Sequence, residues 1–177
     1  PPPRFSSAAS DVYKRQQYGG AAGDRAGVES KGDALARHIA STLALHPNEK
    51  CWHAMRDPIV DYANWLSLVS GTCGKMGQDI CLMAQQGIDD IALAGGGGSS
   101  AMPHKQNPVD AELLVTLARY NAVQAGGMHQ CLVHEQERSG AAWMLEWMLL
   151  PPMVMATARA LAVALRITGA VRRIGKS

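Results

Sequence analysis

An all-α fold of long helices is what this sequence predicts, and three observations carry that expectation. Apolar residues between positions 59 and 83 recur in alternating steps of three and four, which is the helical period. A helix start is written at Asn107-Pro108-Val109-Asp110. Nowhere do Val, Ile and Thr alternate with polar residues, as a half-buried strand requires.

Taken in order, residues 1–16 have no periodic pattern and are expected to be a non-native or disordered leader. Residues 17–177 are expected to be a fragment of a central helical-bundle domain whose upstream and downstream parts are missing. Residues 17–32 are Gly- and Ala-rich and read as loop. Leu35, Ile39 and Leu43 mark a short helix over 33–45, ended by His46-Pro47-Asn48, because proline restricts the residue before it. Ile59, Tyr62, Leu66, Val69, Cys73, Met76, Ile80 and Met83 form the clearest stripe, giving a helix over 57–86 with Pro58 in its first turn. Gly95 to Gly98 then break regular structure. Leu113, Leu117, Tyr120 and Val123 or Gln124 mark a second helix to about 133, with Gly126-Gly127 as a weak or closely packed point. A third helix follows the polar stretch 134–142, along Met148, Val154, Ala158, Leu161, Leu165 and Thr168, and Pro151-Pro152 either kinks it or marks its start.

Composition narrows the function. The chain has 177 residues, 47% of them apolar, so it carries a real core. The net charge of +2, the lack of a Lys/Arg stripe and a single Phe argue against nucleic-acid binding. Cys51, Cys73, Cys81 and Cys131 make no Cys-x-x-Cys pair and are expected to be buried, reduced thiols, which suits the cytoplasm. Apolar runs are interrupted before the ~20 residues needed to span a bilayer, so no membrane contact is expected. No His, Asp and Glu group has a metal-ligand spacing.

The chemistry concentrates after the glycines. The segment Gly98-Ser99-Ser100-Ala101-Met102-Pro103-His104-Lys105-Gln106-Asn107-Pro108 brings two serines and a lysine to a helix N-terminus, with Asn107 as N-cap and Pro108 as N1. Unpaired N–H groups there attract anions, and Lys105 adds a full positive charge. Such a field stabilises a carboxylate that gains charge as its neighbouring carbon becomes a carbanion, and it eases proton loss from a serine. The same residues also fit a solvated glycine-rich connector, and the physics alone leaves both readings open.

That segment matches the signature Gly-Ser-Ser-x-Met-Pro-x-Lys-x-Asn-Pro of the fumarase/aspartase superfamily at every fixed position. Trp52-His53, Arg56-Asp57, Gly77-Gln78-Asp79 and the run from His134 to Trp143 with Glu146-Trp147 resemble its 3-carboxy-cis,cis-muconate cycloisomerase branch, over roughly residues 45–170. The resemblance implies the superfamily's long-helix bundle, present here as a partial chain. It implies cyclisation of 3-carboxy-cis,cis-muconate to 4-carboxymuconolactone, in protocatechuate breakdown, without metal or cofactor. Ser99 is then the proton-transferring base, and Lys105 holds the reacting carboxylate and stabilises its dianion. Asn107 and Arg138 bind substrate, Ser100 and Met102 shape the loop around it, and His104 tunes the contact. Arg56 survives from a substrate-binding segment that here carries Ala54, Met55 and Pro58 where relatives have Ser/Thr, Gln and Arg.

The resemblance also implies a small di- or tricarboxylate substrate and a homotetramer with active sites shared between chains. Because catalytic segments of the family lie upstream, residues 17–177 alone are expected to be inactive. His134 is expected to belong to a hydrogen-bond network. Trp143 and Trp147 are expected to share one helical face, with Trp143 a candidate to line the pocket. Two alternatives are a C–N lyase resembling adenylosuccinate lyase and a non-catalytic helical assembly module. A phosphate-binding loop lacks the Gly-Lys-Ser/Thr it would need.

Overall fold

The structure is a computed structural model that describes residues 17–20, 22–94, 97–98 and 106–175. Among these the helices are α1 (Gly32–Thr42), α2 (Asp57–Met83), α3 (Val109–Gln130) and α4 (Gly140–Ala170), with a 3-10 turn at Glu29–Lys31 before α1. The all-α expectation holds. Two antiparallel ribbons were not anticipated: β1 (Ile91–Leu93) with β4 (Val171–Ile174), and β2 (Gly97–Gly98) with β3 (Gln106–Asn107). Strands this short offer no alternation for a sequence pattern to reveal.

The chain folds as two compact units. One holds residues up to Trp65 together with Ala125–Leu150, and the other holds Leu66–Gln124 together with residues from Pro151 onward. Each of the three long helices gives a segment to both.

In the first unit Val60, Ala63, Met128, Cys131 and Ala142 are buried. Arg25, at φ 59°, ties the leading loop down by donating to the Tyr18 and Asn48 carbonyls and pairing with Asp33. Gly127 is the closely packed point expected of Gly126-Gly127, because a Cβ there would lie 2.7 Å from Leu149 Cδ1.

In the second unit Cys73, Ile80, Ile91, Ala111, Leu114, Ala160, Val163 and Ile167 form one core. Helices α2 and α3 meet through small residues. A Cβ on Gly77 would lie 2.5 Å from the Ala111 carbonyl oxygen, and one on Gly74 would lie 2.4 Å from Ala118 Cβ. Gly77→Ala is therefore expected to destabilise by about 1–3 kcal/mol, since backbone must yield rather than a side-chain tip. Gly71 faces open space on the same helix. Gly71→Ala is expected to stabilise by about 0.5–1 kcal/mol through helix propensity alone. Urea denaturation of the two variants checks both signs.

A polar layer crosses this core. The fully buried Asn121 of α3 donates from Nδ2 to Ser70 Oγ of α2 (3.0 Å) and Thr157 Oγ1 of α4 (2.8 Å). Three helices are thereby fixed in one register, as a single buried amide does in coiled coils.

The faces of the long helices need correction. The α2 stripe is buried at Leu66, Cys73 and Ile80 and half-buried elsewhere, as expected. On α3 the buried positions are Ala111, Leu114, Asn121 and Met128, whereas the expected Tyr120 and Val123 are exposed, Val123 to 73%. On α4 the buried face runs through Ala142, Glu146, Met153, Ala156, Thr157, Ala160, Val163 and Ile167. The expected stripe there is the opposite, exposed face, with Met148 at 71% and Leu165 at 75%. A helix apolar on both faces gives periodicity no way to choose between them.

Pro151 and Pro152 neither begin nor end α4 but lie inside it, leaving the Trp147 and Met148 carbonyls without their helical donors. Against the expectation from the interrupted apolar runs, helix α4, at 31 residues, is long and apolar enough to cross a membrane by length and composition.

Near the start of α3, Asp110 accepts from Arg166 Nε of α4 at 2.7 Å. The Arg166 hydrogen bond holds the Asp110 carboxyl below its ordinary range. A lowered folded value contributes stability above the unfolded pKa of ~3.9 and loses it as pH falls through the folded value. The pair is substantially exposed, so Asp110→Asn is expected to cost under about 1 kcal/mol at pH 7 and nothing in strong acid, measured by urea titration at both pH values.

Candidate functional site

Ser99, Ser100, Met102, His104 and Lys105 lie outside the described residues. The elements on either side of them are described. On the upstream side β1 is paired to β4, with Ile91 opposite Ile174 and Leu93 opposite Val171, and the Ala94 N–H donates to the Ala170 carbonyl at 2.8 Å. Closer in, Gly97 pairs with Asn107 and Gly98 with Gln106. The two ends of the signature segment are thus hydrogen-bonded to each other directly before α3.

Asn107 is half-buried and belongs to β3, not to a helix cap. The Pro108 carbonyl accepts from the N–H groups of Ala111 and Glu112, which makes Pro108 the residue that opens α3 and places Asn107 one position before it. The expected N-cap and N1 roles therefore shift by one residue. The ribbon explains the shift, because Asn107 pairs with Gly97 and keeps an extended backbone.

The first unit holds Arg56 and Arg138. The Arg56 carbonyl accepts from the Ile59 and Val60 N–H groups and starts α2. Its side chain makes a forked ion pair with Glu146 of α4, Nε to Oε2 at 2.8 Å and Nη2 to Oε1 at 2.5 Å, while Nη1 donates to the Trp52 carbonyl at 3.0 Å. Both side chains are largely buried, at 13% and 9% exposure. In this geometry the guanidinium fork expected to meet substrate is occupied by a protein carboxylate. Glu146 is the residue that sequence reasoning missed. It stood only among the residues that carry the resemblance, with no partner assigned, and its further signal was a charge on an otherwise apolar helix face.

Arg138 is exposed on the connection between α3 and α4. Its guanidinium carbon lies 4.6 Å over the ring of Trp143, and Trp143 meets Trp147 edge-on with centroids 6.4 Å apart. Next to it Ser139 caps α4: its carbonyl accepts from the Trp143 N–H at 3.1 Å, and its Oγ from the Ala142 N–H at 3.4 Å. The Ser139 N–H donates to His134 Nδ1 at 3.0 Å, which leaves the neutral ring's proton on Nε2. Nε2 is buried and has no hydrogen-bond partner among the described residues. The His134 ring thus makes one hydrogen bond, within its own connection, and not the network expected of it. The Glu135 carboxyl is held below its ordinary range by the Ser139 hydroxyl.

All four cysteines are free, Cys73 and Cys131 buried as expected but Cys51 and Cys81 only half-buried, and burial pushes the Cys73, Cys81 and Cys131 thiols up. Among the described residues no cluster of His, Cys, Asp and Glu is arranged to hold a metal.

A family model described as a lyase matches residues 4–122, more than half of the sequence. The chain belongs to this lyase family. The 3-carboxy-cis,cis-muconate cycloisomerase of Bradyrhizobium diazoefficiens is 38% identical to this lyase-family chain over 154 residues, covering 85% of the chain and 34% of the relative. The enzyme of that name from Acinetobacter baylyi is 38% identical over 148 residues, covering 82% and 33%. The crystal structure of the 3-carboxy-cis,cis-muconate lactonizing enzyme from Pseudomonas putida superposes with a TM-score of 0.81 at 33% identity, over 93% of the chain and 37% of that structure. The chain therefore spans about a third of the length of the curated relatives it matches.

Proposed function

We propose that this chain is the part of a 3-carboxy-cis,cis-muconate cycloisomerase that carries the proton-transferring serine. The observation that carries the reading is the intact segment Gly98–Pro108 in a chain 38% identical to enzymes of that name. In the reaction a substrate carboxylate oxygen bonds to an alkene carbon and closes the lactone. The displaced electron pair is held on the neighbouring carboxylate as a dianion, and a proton then joins the carbon beside it. Ser99 moves that proton, and Lys105 with Asn107 and the adjoining head of α3 holds the charge. Ser100, Met102 and His104 shape the loop about the substrate, and Arg138 takes a second carboxylate through its planar fork.

The assembled enzyme is read as a homotetramer that draws each active site from several chains. The exposed apolar face of α4, with Met144, Met148, Met155 and Leu165, supports association with further copies of this chain rather than a membrane or nucleic acid. A reducing cytoplasm suits its free thiols.

The test is an absorbance assay of the full-length, assembled protein. Loss of the muconate chromophore, with no fumarate released from adenylosuccinate, is the expected result. Turnover of adenylosuccinate alone would move the protein to the C–N lyases, and turnover of neither would favour a helical assembly module.

A further inference from the structure

Arg138 is an exposed arginine on an irregular connection, where a long side chain is ordinarily free to sample many rotamers. Several contacts remove that freedom. The residue after it is 6% exposed and fixed by its carbonyl, its hydroxyl and its N–H, the last donating to His134. Two residues before it, Gln136 sits in the left-handed region at φ 46°, which sets a sharp bend in the chain. The guanidinium carbon itself sits over the Trp143 ring, 4.6 Å from its centroid, and Trp147 meets that indole edge-on at an interplanar angle of 79°. Stacking uses the face of the guanidinium, whereas its hydrogen-bond donors lie in its plane. A cation held over the ring by this contact spends no N–H donor on it, so its fork stays free for an acceptor. Among the described residues no acceptor is bonded to it.

We propose that Trp143 is a positioning residue that presents the Arg138 fork to a planar carboxylate of the substrate. The proposal rests on the reading of Arg138 as a carboxylate ligand given above. Trp143 acts through Arg138, so its removal weakens substrate binding and leaves the proton-transfer step intact.

Steady-state kinetics of the full-length, assembled enzyme on 3-carboxy-cis,cis-muconate test it. Trp143→Leu is expected to raise KM about three- to tenfold with kcat within about twofold, and Trp143→Phe, which keeps a π face, to restore most of the loss. Arg138→Gln is expected to raise KM further, and adding Trp143→Leu to it to raise KM no more. An unchanged KM in Trp143→Leu beside a raised one in Arg138→Gln would overturn the role of Trp143 alone. An unchanged KM in Arg138→Gln would overturn the carboxylate reading, and the proposal with it. Leu and Phe variants that lose kcat equally would show an ordinary packing role. A second readout does not depend on catalysis. The Arg138 Nε–H proton of the wild-type protein should be shifted upfield by the indole ring current, and an unshifted signal would overturn the stack.

Discussion

Glu146→Ala is expected to lower the unfolding free energy by about 3–5 kcal/mol, the largest stability effect of any single change in the first unit. Arg56 and Glu146 are each largely buried, and their forked contact satisfies both partners. Truncating the acid leaves a desolvated guanidinium whose one remaining acceptor among the described residues is the Trp52 carbonyl. The partners are ninety residues apart in sequence and join the start of α2 to α4. Their loss therefore also releases the turn from which α2 begins. Urea denaturation followed by circular dichroism measures the effect. A double change to Arg56→Met with Glu146→Leu is expected to recover most of the stability, because two apolar side chains carry no desolvation penalty. A Glu146→Ala variant within about 1 kcal/mol of wild type would show that water reaches the pair.

Ser99→Ala in the full-length, assembled enzyme is expected to reduce kcat by about 10²–10⁴-fold, the range assigned to one positioned acid–base group. On the proposed mechanism Lys105→Met is expected to be comparably damaging, by about 10²–10³-fold, because a full charge assigned to the developing dianion is removed. The two losses should differ in kind. Without the serine the bound substrate lacks a proton carrier, so KM should move little. Without the lysine a carboxylate contact present in the ground state also disappears, so KM should rise as kcat falls. Steady-state kinetics by the loss of muconate absorbance separates them. A Ser99→Ala enzyme that retains its kcat would remove the hydroxyl from the mechanism.

Legibility in the sequence followed the range of each interaction. The α2 stripe was readable because its steps of three and four run unbroken from Ile59 to Met83, and Leu66, Cys73 and Ile80 are indeed in the interior. The faces of α3 and α4 were legible only in part: Leu113 and Leu117 do pack against the core, but α4 is apolar nearly all round, and α3 meets α2 through Ala111 and Ala118 while its larger Tyr120 and Val123 are exposed. Small residues that permit close approach carry no weight in a hydrophobic pattern. The signature segment was legible because its chemistry is local, with glycines, serine, lysine and asparagine within eleven consecutive positions. The partner of Arg56 was not, since nothing near Arg56 in the chain indicates Glu146. The stack of Arg138 on Trp143 was half-visible: both residues were singled out, but five positions across a helix boundary do not fix which ring face meets which cation.

The ribbon between β1 and β4 has a consequence for how the molecule matures. Its two strands lie some eighty residues apart, with α3 and α4 between them, so their ladder closes one of the longest loops in the chain. Closing such a loop is entropically expensive until the intervening helices have condensed and shortened the gap. The strand that leads toward Ser99 is thus expected to gain its amide protection late in refolding, after the helices that surround it. Pulse-labelling hydrogen exchange would read this as slow protection at Ile91–Leu93 and fast protection in α2. A nascent chain still short of Val171 would have its helices and yet lack the ladder that ties down Ile91–Leu93.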